Sequence, residues 1–469
     1  MPRTSSLASV QIDVGEKPER LQPVDDETPF RILVAGNFSG GAGRVRKPIE
    51  IDRDNFDQVL AVIAPELRVE FGGQPVVIKF RELEDFHPDQ LFERLAPFQA
   101  LRDLRRKLAD SSTFAATAAQ FTAPAAKAAA PGAAEPARNI SGADLLSEMM
   151  GEAAQPAAAA RAPEKSAWDQ MLHDMVAPYA EPKPDRRQPE WIARTDAAIT
   201  GEMRALLHSR AFQEMESTWR GLFFLIRRLE TGEKLKVFLW DMPLSELVSA
   251  DGQATLKRVA VDETVGTPGG QPWAVIAGLY WFGPEDEAAL TQIAGIARRA
   301  RAPFVSGVGP EIVGLRKVFE GLRASADARY IGLALPRFLL RLPYGQKTDS
   351  TERFDFEEMP APPEHERYLW GNPAIACAYL LGEAFTRSGW SMRPGEVSDI
   401  TGLPAHVYKT NGETELKPCA EVLLTEDAAE VLMEQGFMAL ASIKGADRIK
   451  LVRFQSFAKP LAALAGPWS

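Results

Sequence analysis

Tyr330-Ile-Gly-Leu-Ala-Leu-Pro336-Arg337-Phe-Leu-Leu-Arg341-Leu-Pro343-Tyr344-Gly345, then Phe354-Asp-Phe-Glu-Glu358, then Tyr368-Leu-Trp370-Gly-Asn372: these three neighbouring pieces decide how the chain reads. An apolar, strand-like run carries two arginines and breaks at Pro343. An acidic-aromatic loop follows, and a nearly all-apolar helix begins at Asn372. Such a stretch is too apolar for a surface loop and too charged for plain core. Arginines four apart beside aromatic rings point to a guanidinium held in a buried or interfacial ion pair, or stacked on a ring. A core strand with snorkelling arginines is the plain alternative. The alternation in Phe354–Glu358 reads as a solvated or interface strand rather than a catalytic acid pair.

Outward from there, the chain as a whole is ordinary. Its 469 residues suggest roughly three domains, and 45% apolar with 25% charged residues fits a soluble globular protein. A net charge of −10 argues against a general nucleic-acid binder, which needs a basic surface. No apolar run reaches the roughly 18 residues of a membrane span, and Met1-Pro-Arg-Thr-Ser-Ser lacks a signal-peptide core. Cys377 and Cys419 have no ligand or redox spacing and fit a reducing cytoplasm.

Toward the N-terminus, residues 1–28 are polar except for the alternation Val10-Gln-Ile12-Asp-Val14, a short strand with nothing nearby to pair with. It is a candidate for adding to the edge of another chain's sheet, the alternative being a tail with chance alternation. Phe30–Ala35 reads as a buried strand running into a glycine-rich turn, Gly36–Gly43. The helix a phosphate loop requires is absent there, because Arg44–Ile51 is extended and holds Pro48. A helix follows Asp52–Phe56, a strand spans Val76–Phe80, and Pro88 opens a helix expected to run to Leu108. Residues 109–165 are alanine-rich with recurrent proline, a linker composition. Inside it, 141–150 forms a short amphipathic helix with Leu145, Leu146, Met149 and Met150 on one face: a recognition peptide or a helix docking on its own chain.

Beyond the linker, two amphipathic helices precede the central stretch. The second carries Phe212, Met215, Trp219, Leu222, Phe223 and Ile226 on one wide face, with Trp219 as packing anchor and Arg220 placed to bridge to a carboxylate. Lys234–Trp240, Trp273–Trp281 and Pro303–Val308 read as strands. The helix Asp286–Arg301 between the last two implies a parallel crossover. Ser306-Gly-Val-Gly309 follows a strand and is the one place where an α/β sheet could hold a small ligand. Glu426–Gln435 reads as a last helix stopped by Gly436, Lys450–Phe457 as a strand, and the chain fades out after Pro460.

Catalytic motifs do not emerge. His87, His173, His208, His365 and His406 sit in unrelated contexts without metal-ligand spacing, and no nucleophile elbow, Walker loop or His-Glu-x-x-His occurs.

The central motifs, with Trp219-Arg220-Gly221-Leu and Val265-Gly-Thr-Pro-Gly-Gly-Gln-Pro272, resemble the large sheath subunit (TssC, or VipB) of bacterial type VI secretion systems. Val10–Val14, Pro29–Val34, Phe38-Ser-Gly40, Ile51–Phe56 and Asp85–Asp89 resemble the small subunit (TssB, or VipA). The resemblance implies a mixed α/β fold in a single-chain fusion: an arm over 1–28, a small-subunit-like part over 29–108, the linker over 109–165, a large-subunit-like part over 166–460 and a tail over 461–469. It further implies a protomer with no catalytic residue and no cofactor. Copies would stack into a cytoplasmic helical sheath around an Hcp tube, and contraction would drive effector delivery. Baseplate proteins and the ClpV unfoldase are further partners, the latter meeting a helix comparable to 141–150. Interface or core roles fall to Val10, Ile12, Val14, Trp219, Arg220, Arg337, Arg341, Tyr344 and Trp370. Large subunits normally continue past the position of Lys459-Pro460, so a sheath-like adaptor, cap or nucleator is the alternative expectation. A small-ligand enzyme using Gly307–Gly309 is the third.

Overall fold

The computed structural model describes residues 24–41, 47–71, 74–122, 185–312, 315 and 317–468. Val10–Val14 and the helix expected over 141–150 lie outside them.

In chain order the elements begin with β1 (Phe30–Gly36), β2 (Ile49–Ile51), α1 (Phe56–Ile63), β3 (Glu66–Phe71) and β4 (Gln74–Lys79). Four helices follow: α2 (Pro88–Arg94), α3 (Ala96–Ala109), α4 (Ser111–Thr122) and, after the undescribed stretch, α5 (Gln188–Leu207). Next come α6 (Arg210–Arg228), β5 (Leu235–Asp241), α7 (Ala250–Lys257), β6 (Val275–Phe282), α8 (Glu287–Ala300) and β7 (Phe304–Val308). The remainder comprises β8 (Ile331–Leu335), β9 (Phe338–Leu339), β10 (Trp370–Gly371), α9 (Pro373–Ser388), β11 (Asp399–Ile400), β12 (Val407–Thr410), β13 (Glu413–Leu416), α10 (Glu426–Glu434), β14 (Met438–Ser442) and β15 (Ile449–Leu451).

Nine strands form one mixed sheet in the order β11-β15-β14-β8-β7-β6-β1-β5-β2. Its centre is parallel, as the β6–α8–β7 crossover requires, and its two margins turn antiparallel at β2 and at β15–β11. β1 sits between β5 and β6, paired with strands some 200 residues downstream. Beyond Arg31 it is a continuous apolar run because both faces are covered. Ile32 and Val34 face a core shared by α1, α2, α3, α5, α6 and α9, while Leu33 and Ala35 face a second core with α7, α8 and α10. The front segment is therefore part of the sheet that the rest of the chain builds.

Caps and stops mark the helix ends. Ser209, Asn372 and Thr425 each accept an amide of the first turn of α6, α9 and α10. Gly436 takes φ +94° after α10, and Phe437 N–H closes back on Leu432 O at 3.0 Å. As its composition demanded, α9 is buried on nearly every face, pressing Ile375 against Gly221 and receiving Leu229 and Ile32 at Gly382.

The structure departs from expectation in five respects. The helix expected from Pro88 to Leu108 breaks at Leu95, because Pro97 has no N–H to continue the ladder; Gln99 Nε2 satisfies the freed Glu93 O at 2.9 Å. Residues 111–122, expected as linker, form α4, which buries Phe114 and Ala118 against Trp191 and Ile192. The last strand is only Ile449–Leu451. The chain does not fade out after Pro460, since Leu464 is buried and Ala465 N–H donates to Arg329 O at 2.8 Å. Finally, Phe354–Glu358 is irregular and packed inward, with Phe356 and Glu358 buried rather than solvated.

Candidate functional site

Arg341 of the central stretch leads to a buried charged cluster in the interior. Helix α6 buries one face, and Glu216 lies on it between Met215 and Trp219, fully excluded from water. Arg220, one turn on, donates from Nε to Glu216 Oε1 at 2.7 Å. Arg341 donates to the same carboxylate at 2.8 and 3.2 Å, and with its other edge to Glu358 at 2.7 and 3.1 Å. Tyr344 completes the shell. Its ring lies 4.1 Å from the Arg341 guanidinium, its hydroxyl accepts from Arg220 Nη2 at 2.9 Å, and its N–H donates to Glu358 at 2.8 Å. His208 Nε2 stands 3.4 Å from Glu358 Oε1. Two positive and two negative groups thus balance inside a region where any single unpaired charge would be costly.

The electrostatics follow from that balance. Burial alone would push the Glu358 carboxyl up; the Arg341 charge, with the close approach of His208 and hydrogen bonds from Arg341 and the Tyr344 amide, pulls it down to about 2. Arg341 is likewise held protonated, Glu216 and Glu358 overcoming the desolvation that opposes its charge. Burial raises the Tyr344 hydroxyl despite the opposing pull of Arg220 and Arg341, so it remains a neutral acceptor and donor. Such a cluster fixes positions.

The cluster also joins distant parts of the chain. On the other side of the Tyr344–Glu358 segment, the Asp89 carboxylate accepts the amides of Glu352 and Arg353 at 2.8 and 3.1 Å. Phe92 stacks on Phe354 at 4.3 Å, and Glu93 pairs with Arg353 at 2.8 Å. Trp219, fully buried, donates from Nε1 to Phe38 O at 3.0 Å and meets Phe38 and Phe56 edge-on. The segment 343–358 is thereby wedged between α2, from the front of the chain, and α6, from its back.

Arg337 stands apart, engaging Glu421 with both Nε and Nη2. Trp370 is buried with Leu339 and Tyr368 in a small satellite cluster, and its carbonyl accepts from Ser217 Oγ at 2.8 Å. The central motifs therefore resolve into the buried network, the Arg337–Glu421 pair and an aromatic cluster. Sequence reasoning gave Arg220 no named partner and did not single out Glu216, His208 or Glu421. The signal for Glu216 was present: a glutamate interrupting the apolar face of α6, four residues before an arginine.

At the one place where a small ligand was expected, the space is filled. The sheet order reverses about β1, where a crevice would open in a nucleotide-binding α/β fold. Leu279 packs onto Gly36, Asp241 accepts the amides of Phe38 and Ser39 at 2.9 and 3.0 Å, and Tyr280 donates to Met242 O. At the Ser306–Gly309 turn, the Ser306 hydroxyl is spent on Gly278 O, the Trp281 ring covers Gly307 and the Glu311 carboxylate lies over Gly309. A recess of about 440 Å³ beside Arg341 has Asp349 as its other charged wall. Among the described residues no three potential metal ligands converge, and no helix is long and apolar enough to cross a membrane.

Comparison with known proteins matches this architecture. The family model VipB, a tail sheath N-terminal domain, matches residues 189–321 and 316–458. The type VI secretion system VipA model matches residues 22–124, a range that includes α4. The type VI secretion system sheath protein TssC1 of Pseudomonas aeruginosa is 34% identical over 303 residues, 57% of this chain; the chain spans 61% of that relative's length. With its back half matched by the large-subunit domain and its front by the small-subunit model, this chain belongs to the type VI secretion sheath family.

Proposed function

We propose that this chain is a structural component of a type VI secretion contractile sheath, in which small- and large-subunit regions are carried on one polypeptide. One observation carries the reading: β1 and β2, from the region matching VipA, flank and pair β5 within the sheet of the region matching VipB. The two regions are thus one folding unit, as a fused protomer requires. On this reading the chain is not an enzyme, works in the cytoplasm, and associates with copies of itself or with other sheath subunits around an Hcp tube. ClpV and baseplate proteins are further partners. Val10, Ile12 and Val14 form the strand that links protomers, while Trp219, Arg220, Arg337, Arg341, Tyr344 and Trp370 hold the body of each one. Heterologous contacts that do not close would then extend the assembly as a helix.

Electron microscopy of the purified full chain tests this. Tubes, alone or on addition of Hcp, support the sheath reading. Monodisperse particles under both conditions overturn autonomous assembly and favour an adaptor or cap.

A further inference from the structure

Strands β12 and β13 form a hairpin around an Asn411–Gly412 turn, both residues at positive φ, and among the described residues neither strand pairs with any other. Val407, Lys409, Glu413, Thr414 and Glu415 are exposed, and a lone two-stranded hairpin is marginal in water. What anchors it lies at its foot. His406 and Lys417 face each other there, joined by Lys417 N–H to His406 O at 2.9 Å. Each reaches one group of the segment 365–370. His406 Nδ1 lies 2.6 Å from the Tyr368 hydroxyl, and Lys417 Nζ lies 2.7 Å from His365 Nδ1, with its ammonium 5.0 Å from the Tyr368 ring and 5.7 Å from Trp370.

The Lys417–His365 contact works in only one protonation state. An ammonium has donors alone, so Nδ1 of His365 must present its lone pair and the ring must be neutral, with its proton on Nε2. That Nε2 points toward Glu421, 4.0 Å away, whose carboxylate is already engaged by Arg337; besides Lys417 and Glu421, Glu366 and Arg337 are the charged groups that act on the ring, the first favouring and the second opposing its protonation. A second proton would remove the acceptor and set two cations side by side. We propose that His365 and Lys417 form a proton-operated clasp: neutral His365 holds the 406–417 hairpin against the body, and protonation releases it. Burial first, then the Lys417 charge, lowers the His365 pKa. The sign is therefore fixed: the clasp is closed above the ordinary histidine range and loses hold as pH falls through it. At His406 the Tyr368 hydroxyl can reverse its donor and acceptor roles, so that contact survives protonation.

Hydrogen exchange of the full chain at pH 7.5 and 5.5, corrected for the intrinsic rate, reads the clasp directly. Exchange across 407–416 should rise at the lower pH while β7 and β8 stay protected, by up to about tenfold, the most that one histidine with its ordinary pKa in the released state can give between these two pH values. His365→Asn keeps an acceptor oxygen without a titrating proton, and should leave the hairpin protected at both pH values. Lys417→Met should expose it at both. Equal exchange at the two pH values, a pH effect retained in His365→Asn, or loosening of the whole sheet in step with the hairpin would each overturn the proposal.

Discussion

Replacing Glu358 by Gln preserves the volume and the acceptor for the Tyr344 amide but removes one of the two charges that neutralise Arg341. The magnitude follows from the site. A carboxyl held at about 2 against its ordinary 4.5 favours the folded ion by about 3 kcal/mol. Breaking one side of a buried pair also leaves the partner uncompensated, an effect of about 3–5 kcal/mol. At pH 7 the variant should therefore unfold with about 3 kcal/mol less stability, measured by urea titration. The pH dependence supplies a second reading. Because the folded value is depressed, the contribution is complete above the ordinary carboxylate range and declines as pH falls toward 2. By pH 3.5 it should have dropped to about 2 kcal/mol, narrowing the gap between the two proteins. Glu357→Gln, at the exposed neighbouring position, should shift stability by no more than about 0.5 kcal/mol. Replacing Arg341 and Glu358 together by Leu leaves the balanced Arg220–Glu216 pair, and should cost less than the sum of the two single changes. A Glu358→Gln effect below about 1 kcal/mol, or one that does not shrink in acid, would refute the claim that charge balance holds this wedge.

Trp219→Ala removes a fully buried ring and the hydrogen bond to Phe38 O, and should cost about 3–5 kcal/mol in the same assay. Dividing the chain by a cleavable sequence between residues 122 and 185 should leave the two pieces associated in size-exclusion chromatography after cutting, since β1 is paired on both edges by strands of the other piece. Co-elution is expected, and independent elution would contradict the shared sheet. Burial pushes Cys377 up to about 12 and Cys419 up to about 11, so neither thiol should react with a disulfide reagent at pH 8 until denaturant is added.

Much of this was legible in the residues. The wide face of α6, the all-round burial of α9, the stop at Gly436 and the β6–α8–β7 crossover each follow from local pattern, because helix period and glycine chemistry act over a few residues. What stayed hidden depends on partners far away in sequence. The aromatic-acid alternation of Phe354–Glu358 resembles a solvated strand until Arg341 and Tyr344 are placed against it, when its last carboxylate proves buried and bound by both. Pro97 is a break signal within the residues that the single-helix reading of 88–108 left unused. Helix α4 was masked by alanine-rich composition, although Phe114 and the packing of Trp191 give it a real core. For Val10–Val14 and the 141–150 helix, the described residues carry no test.

The central position of β1 has a consequence for how this polypeptide comes into being. Its seven residues, Phe30–Gly36, leave the ribosome well before β5, which begins at Leu235. At about 5–20 residues per second, roughly 200 residues of further translation take about 10–40 s. Throughout that interval an apolar strand with two open edges has nothing native to pair with, the situation in which nascent chains recruit chaperones or stick to one another.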